Sequence, residues 1–402
     1  MTLRVDGEGA HVNPETIDGD SDRLRVSSIR GLGTRRTPTD AANLAAGFFD
    51  RETETLRLTE AKALQFCKLR EMVRYAYAKN PVYRRLYDAA GVKPDDLRSL
   101  ADLAQFPIVR KETLSSHYPW GMLSDGLESK VAKVFLSGGT SGSPIVMAYT
   151  HREYAWMVEC AARLFPAAGV LPASVPGSTG GVVGHFLPLG SHVTQALYDG
   201  AALAGCRVVP VHFRYEEEEK HLEMIADFGI RALTIAPVGA KGANLQGLLE
   251  ADRKEIILRQ VDTILSVGAP MPQGMKEELQ SQGKTILAAY GSTEIGSIGY
   301  VSRRCTLPVG AYHVHADNTL IEIVDENGDP VPPGTRGYIV ATALGEAELE
   351  ERAMPMIRYL LGDQASLLEG EPCACGRTPI VLVDPKRVLD LSRLQKSCAA
   401  KW

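Results

Sequence analysis

The chain has 402 residues, 45% of them hydrophobic and 23% charged, with a formal net charge of −5. That balance is ordinary for a globular protein with a sizeable core, and it lacks the clustered Lys and Arg of a broad nucleic-acid footprint. No apolar run reaches the roughly 18 residues of a membrane span, and the N-terminus lacks the basic-then-apolar pattern of a secretory signal. The expectation is a cytoplasmic protein with no nucleic-acid or membrane partner. Seven cysteines, an odd number, are scattered through the chain and do not suggest a disulfide framework.

Residues 1–45 are polar and aperiodic, so they are expected to form a mobile arm. A helix is expected from Thr59, where Leu64, Leu69, Met72, Val73 and Tyr77 give one apolar face. A second, short helix opens at Pro81 and closes at Gly91. Short apolar runs then alternate with helical stretches: AKVFLSG, LAGCRVVPV, FGIRALTIAP, VDTILSVGAP and KTILAAYGSTE. This alternation predicts an α/β fold, a core of largely parallel sheet flanked by helices, spanning 46–304. In such sheets ligands bind at the C-terminal strand ends, where Gly139, Gly268 and Gly291 fall. The run of four Glu in YEEEEKHLEMIADF reads as the N-terminal turn and solvated face of a helix. After about residue 305 two strands, 320–324 and 337–342, surround turn residues. They predict a small antiparallel β subdomain over 305–384.

Ser137, Gly138, Gly139, Thr140, Ser141, Gly142 and Ser143 follow a strand. Glycines let backbone N–H groups converge on an anion, and the hydroxyls add donors. No Lys follows the last Gly, so the segment is not a G-x-x-x-x-G-K-[ST] loop. Alone it reads equally well as a surface turn. It is followed in order by YGSTE (290–294), IRYLLGD (357–363) and KRVLD (386–390).

Together these segments resemble the adenylate-forming superfamily, and the texture of residues 50–392 is similar to its phenylacetate–CoA ligase branch. The resemblance implies ATP-dependent activation of a small, aryl or arylacetic, carboxylic acid. It assigns Gly138, Gly139, Thr140, Ser141 and Gly142 to the ATP phosphates. Gly268, Ala269 and Pro270 would lie along the adenine, and Tyr290 would stack on it beside Gly291 and Ser292. Thr293 would donate to the α-phosphate, Glu294 would hold Mg²⁺, and Asp363 would accept from the ribose hydroxyls. Arg358 and Arg387 would sit near the nucleotide. Taken singly, Tyr290 also reads as a core residue, Glu294 as a helix-start acid and Asp363 as a turn residue. His185, Phe186, Leu189 and His192 fall in the segment that would wall the acid pocket. The two histidines read either as contacts to the acid or as core or surface residues.

Cys305, His313, Cys373 and Cys375 make a Cys₃His set of the structural zinc type. The spacing resembles a zinc site found in part of the same branch; the other reading is unrelated surface residues. The chain departs from the superfamily in three ways. Gly138 and Ser143 replace a hydroxyl and a Lys in the phosphate loop. The segment GSIGYVSRRC is atypical. Only 12 residues follow Asp390, so 385–402 is expected to be a hinge remnant with the C-terminal lid domain, and its Lys, absent. On that expectation the acceptor is CoA, as the resemblance implies, or an amine, and either adenylation runs slowly without the lid Lys or a partner protein or second copy supplies the missing group. The competing class is a nucleotide-binding scaffold that does no chemistry.

Overall fold

The computed structural model describes residues 40–136, 145–211, 218–239, 244–346 and 351–388. The phosphate-loop residues 138–142 and everything beyond residue 388 lie outside the described residues. The fold is α/β. Among the described residues no helix is long and apolar enough to cross a membrane.

The folded body begins inside the expected arm. Helix α1 (Ala41–Ala46) is capped by the Asp40 side chain and ends on Gly47 in the left-handed region. Buried Glu54 ties this segment down. It accepts from the backbone N–H groups of Phe49 and Asp50 and from the Tyr300 hydroxyl, while Arg377 donates to the Gly47 carbonyl. The long helix α2 (Leu58–Lys79) buries Leu64, Leu69, Met72, Val73 and Ala76, close to the expected apolar face. Helix α3 (Pro81–Ala90) follows at once because the Asn80 side chain accepts from the N–H groups of Val82 and Tyr83, and Gly91 terminates it at φ 71°.

Strands β1 (Val131–Leu136) and β2 (Val146–Thr150) form an antiparallel pair that brackets the phosphate-loop segment. Helix α4 (His151–Ala162) starts on a capping box made by Thr150 and Glu153. The remaining strands form one sheet: β3 (Val182–His185), β4 (Arg207–Pro210), β5 (Ala232–Ile235), β6 (Thr263–Ser266), β7 (Thr285–Ser292), β8 (Gly296–Tyr300), β9 (Ala311–Val314), β10 (Thr319–Val324), β11 (Gly337–Ala343), β12 (Tyr359–Glu369) and β13 (Ile380–Arg387). Its order is β10-β11-β12-β13-β9-β8-β7-β6-β5-β3-β4. Pairing is parallel from β4 through β7 and antiparallel from β7 through β10.

The central parallel strands β5 and β6 are buried throughout, which is why they are short, mostly apolar runs. Val182, Leu233 and Ile264 pack into one cluster with Leu222 and Ile225 of α5 (Glu218–Asp227). Their neighbours Val183, Ala232 and Leu265 pack into another with Ala162, Phe165 and Ala201. Helix α2 covers the antiparallel half, setting Leu64, Leu69 and Val73 against Ile321, Ile339 and Leu361.

The expected boundary at 304/305 is not a break in the sheet. Strands β8 and β9 pair across it, and β7 belongs to both halves through its two edges. Likewise residues 385–387, expected to start a hinge remnant, are the end of β13.

Candidate active site

Two neighbouring parallel strands, β6 and β7, end at one rim of the sheet. Gly268 follows β6 at φ 92° and is exposed, with half-buried Ala269 and exposed Pro270 after it. Next to them β7 carries Tyr290, Gly291 and Ser292 into a tight turn to β8. The turn needs its glycines. A Cβ on Gly291 would come within 2.4 Å of the Gly296 carbonyl, and Gly296 itself has φ 88°. The Ser292 hydroxyl accepts from the Ile295 N–H at 3.2 Å. Thr293 and Glu294 are therefore held, half-buried, at the turn. The Tyr359 hydroxyl donates to Glu294 Oε1 at 3.1 Å, and the Tyr149 hydroxyl reaches the Thr293 carbonyl at 3.5 Å.

Asp363 arrives from the antiparallel half, opposite Arg387 in the β12–β13 register. The Tyr290 hydroxyl donates to Asp363 Oδ2 at 2.5 Å, and Arg387 Nη1 lies 3.6 Å from Oδ1. Burial first, then the Asp363 charge, pushes the Tyr290 phenol far above its ordinary pKa, so it stays a proton donor. Arg387 also donates to the Leu361 carbonyl at 3.0 Å. Residues far apart in sequence thus meet on one rim: Tyr290, Glu294, Asp363 and Arg387.

The sequence profile of the family described as "AMP-binding enzyme" matches residues 71–344. The phenylacetate–coenzyme A ligase of Thermus thermophilus is 33% identical over 337 residues, which is 83% of this chain and 71% of the relative. That of Aromatoleum evansii is 35% identical over 77% of this chain and 67% of its own length. The chain belongs to the AMP-binding enzyme family. Within that family it is an AMP-forming acid ligase, similar to these relatives. Among solved structures, an open form of 2-hydroxyisobutyryl-CoA ligase in complex with 2-HIB-AMP and CoA matches with a TM-score of 0.72 at 20% identity. The match covers 84% of this chain and 76% of that one, and it shows the shared fold.

Three residues expected in the site of this AMP-binding enzyme have other duties. Arg358 is buried, with 1% of its surface exposed, and sits at φ 50°. It pairs with Glu322 at 3.0 Å and donates to the carbonyls of Ala104 and Phe106. A guanidinium so committed holds β10 to the segment before β12 and is not available to a nucleotide. His185 ends β3 in the sheet interior, where its Nδ1 bonds Thr234 Oγ1 of β5 at 2.7 Å. Phe186 is buried against Val211, Leu222 and Ile225. Both turn into the packed sheet because helices cover its two faces. Leu189 is half-buried in the following loop. His192 is different. It is fully buried at the start of the helix His192–Leu203, and neither ring nitrogen has a hydrogen-bond partner among the described residues.

The rim residues Tyr149, Tyr359 and Phe135 were not singled out from sequence. The spacing Thr150-x-x-Glu153 marks a helix start and so places Tyr149 at a strand end, which is the one local signal available.

The four zinc-type residues come together. The donor atoms of Cys305, His313, Cys373 and Cys375 all lie within 4.8 Å of one another. The Ser302 N–H donates to Cys305 Sγ at 3.1 Å and the Thr306 N–H to Cys373 Sγ at 3.4 Å. His313 Nδ1 faces the Thr378 carbonyl at 3.2 Å, which leaves Nε2 toward the sulfurs, 3.2 Å from Cys375. The neighbouring Cys305 thiol, with His313, pulls the Cys375 pKa well below the ordinary thiol value. This donor set and spacing fit a closed tetrahedral ion.

Proposed function

We propose that this ligase activates an aryl or arylacetic acid with ATP and passes the acyl group to coenzyme A. The observation that carries the reading is the meeting of Tyr290, Asp363 and Arg387 beside the Thr293–Glu294 turn. In this reading the substrate carboxylate attacks the α-phosphorus, the bond to pyrophosphate breaks, and the CoA thiol then displaces AMP from the acyl carbonyl. Tyr290 stacks on the purine with Gly268, Ala269 and Pro270 along its edge, Asp363 accepts from the ribose, and Thr293 donates to the α-phosphate. Arg387, exposed beside Asp363, adds positive charge at the nucleotide rim. The phosphates fall to residues 138–142 by the family resemblance; these lie outside the described residues.

Glu294 fits a Mg²⁺ ligand: it is a half-buried carboxylate with one oxygen held by Tyr359. When bound, the ion would neutralise charge on the phosphates. A zinc ion on Cys305, His313, Cys373 and Cys375 would clip the turn after β8 to the turn before β13, with no part in the chemistry. CoA is the acceptor in the names of the relatives at 33% and 35% identity. No observation among the described residues favours an amine.

The test is acid-dependent ATP–pyrophosphate exchange over a panel of aryl and arylacetic acids, followed by thioester detection with CoA. Exchange with at least one acid is expected. Glu294→Gln should slow it by about 10²–10³-fold, the usual loss of one electrostatic stabiliser of developing charge. ATP binding without exchange for any acid would overturn the reading and favour a nucleotide-binding scaffold.

A further inference from the structure

His192 stands in an aromatic box. Its ring lies 5.8 Å from Tyr149 and 5.8 Å from Phe135, and Phe135 in turn is 5.9 Å from Tyr154. Tyr154 already spends its hydroxyl on Asp199 at 2.6 Å. The imidazole is 0% exposed and both nitrogens lack partners among the described residues. Burial pulls its pKa down to about 4, so the ring is neutral and presents one donor and one acceptor nitrogen. Leaving both bare in an apolar wall is costly. A ligand that brought a matching group would relieve that cost.

The box also adjoins the turn that carries the chemistry. Tyr149 stacks on His192 at one end, and its hydroxyl reaches the Thr293 carbonyl at the other. One aromatic ring therefore separates the bare imidazole from the catalytic turn. A Cβ built on Gly296, two residues past Glu294, would lie 3.9 Å from His192 Nε2 and 3.9 Å from Met157 Cε. An aryl acid with its carboxylate at Thr293 and its ring alongside Tyr149 would bring its far end to His192. A phenolic hydroxyl there both donates and accepts, so it suits either nitrogen.

We propose that His192 is a specificity residue that reads a hydroxyl at the far end of the acid's ring, making ring-hydroxylated aryl acids the preferred substrates. The proposal rests on the acid-activating reading above and deepens it. A site built to hydrogen-bond a substrate hydroxyl discriminates against the analogue lacking it more strongly than an apolar pocket discriminates by size.

The experiment compares kcat/KM in ATP–pyrophosphate exchange for 4-hydroxyphenylacetate against phenylacetate, and for 4-hydroxybenzoate against benzoate. The hydroxylated member of a pair should be favoured by about 10- to 100-fold. His192→Phe should bring the ratio to about 1 while the KM for ATP moves less than about twofold, and His192→Gln, which keeps a donor and an acceptor, should retain part of the preference. An active wild-type enzyme with no preference for the hydroxylated acid overturns the proposal, as does a preference that survives in His192→Phe. If His192→Phe does not fold, the wild-type ratio of 4-hydroxyphenylacetate to 2-hydroxyphenylacetate decides. Preference for the 4-isomer supports a reader at the far end, and equality overturns it. Absence of exchange with every acid is a different failure, that of the acid-activating reading itself.

Discussion

Arg163 and Arg387 are both paired with an aspartate, and the protein treats them in opposite ways. Arg163 is 1% exposed and gives both terminal nitrogens to Asp317 at 2.8 Å each, with Glu159 at 3.4 Å. Around it, Lys68 donates to the carbonyls of Asp317 and Gly345 and lies 4.9 Å over the Trp156 ring, whose N–H goes to Asn318. Arg387 keeps 66% of its side chain exposed and stands 3.6 Å from Asp363. The buried cluster fixes α4 and α2 to the loop between β9 and β10. The rim pair is loose, and among the described residues its carboxylate is shared only with the Tyr290 hydroxyl. Charges that hold the fold have their bonding capacity largely filled inside it. Charges offered to a ligand are left with capacity to spare.

The largest effect should come from breaking the buried side of this comparison. Asp317→Ala strands the Arg163 guanidinium without its main partner, and loss of one member of a fully buried pair costs about 3–5 kcal/mol. Urea denaturation measures it; a change within about 0.5 kcal/mol, the range of surface substitutions, would mean the cluster is not structural. The same pair sets a pH dependence. Burial pushes the Asp317 carboxyl up, but the charge and hydrogen bonds of Arg163 outweigh it and bring it to about 2. A folded-state pKa below the ordinary carboxylate value of about 3.9 means that the stabilisation is complete above roughly pH 4–5 and lost as pH falls toward 2. Asp317→Asn should flatten the acid limb of the stability curve.

Next is the proposed zinc clip on Cys305, His313, Cys373 and Cys375. The purified protein is expected to carry about one zinc per chain, and removing it with a chelator should lower Tm, because metal-binding energy is folding energy in such a site. Cys375→Ser should remove both the metal and the chelator effect. A metal-free protein with unchanged Tm would leave the four residues as a hydrogen-bonded cluster only.

The smallest effect is expected at the rim. Asp363→Asn removes a charged acceptor, worth about 1.5–3 kcal/mol for a hydrogen bond to a charged group, so KM for ATP should rise by about 10- to 100-fold. Tm should barely move, in contrast to Asp317→Ala. A large drop in Tm with ATP affinity intact would reverse the assignment of Asp363 from site to scaffold.

Much of the parallel half was legible in the sequence. Strands buried on both faces must be short apolar runs, so ALTI and TILS could be read locally, and so could the helix start at Pro81 and its stop at Gly91. The strands β3, β8, β9, β12 and β13 were not singled out, because Gly, His, Tyr and Asp interrupt their apolar pattern; those interruptions are where β8 and β12 approach the rim and where β9 carries a zinc-type histidine. The motif order identified the family, and the Cys₃His set could be counted from the chain alone.

What sequence could not assign was the direction of each side chain. Arg358 and Asp363 lie five residues apart in one motif, yet one is locked under β10 against Glu322 and the other opens onto Tyr290. His185 and His192 share a segment, yet one bonds Thr234 and the other has no hydrogen-bond partner among the described residues and stands among aromatic rings. Composition and spacing determine which groups the chain owns and which elements carry them. Which of those groups is spent inside the fold and which is left for a ligand depends on partners brought from far away in sequence, and only the tertiary packing supplies them.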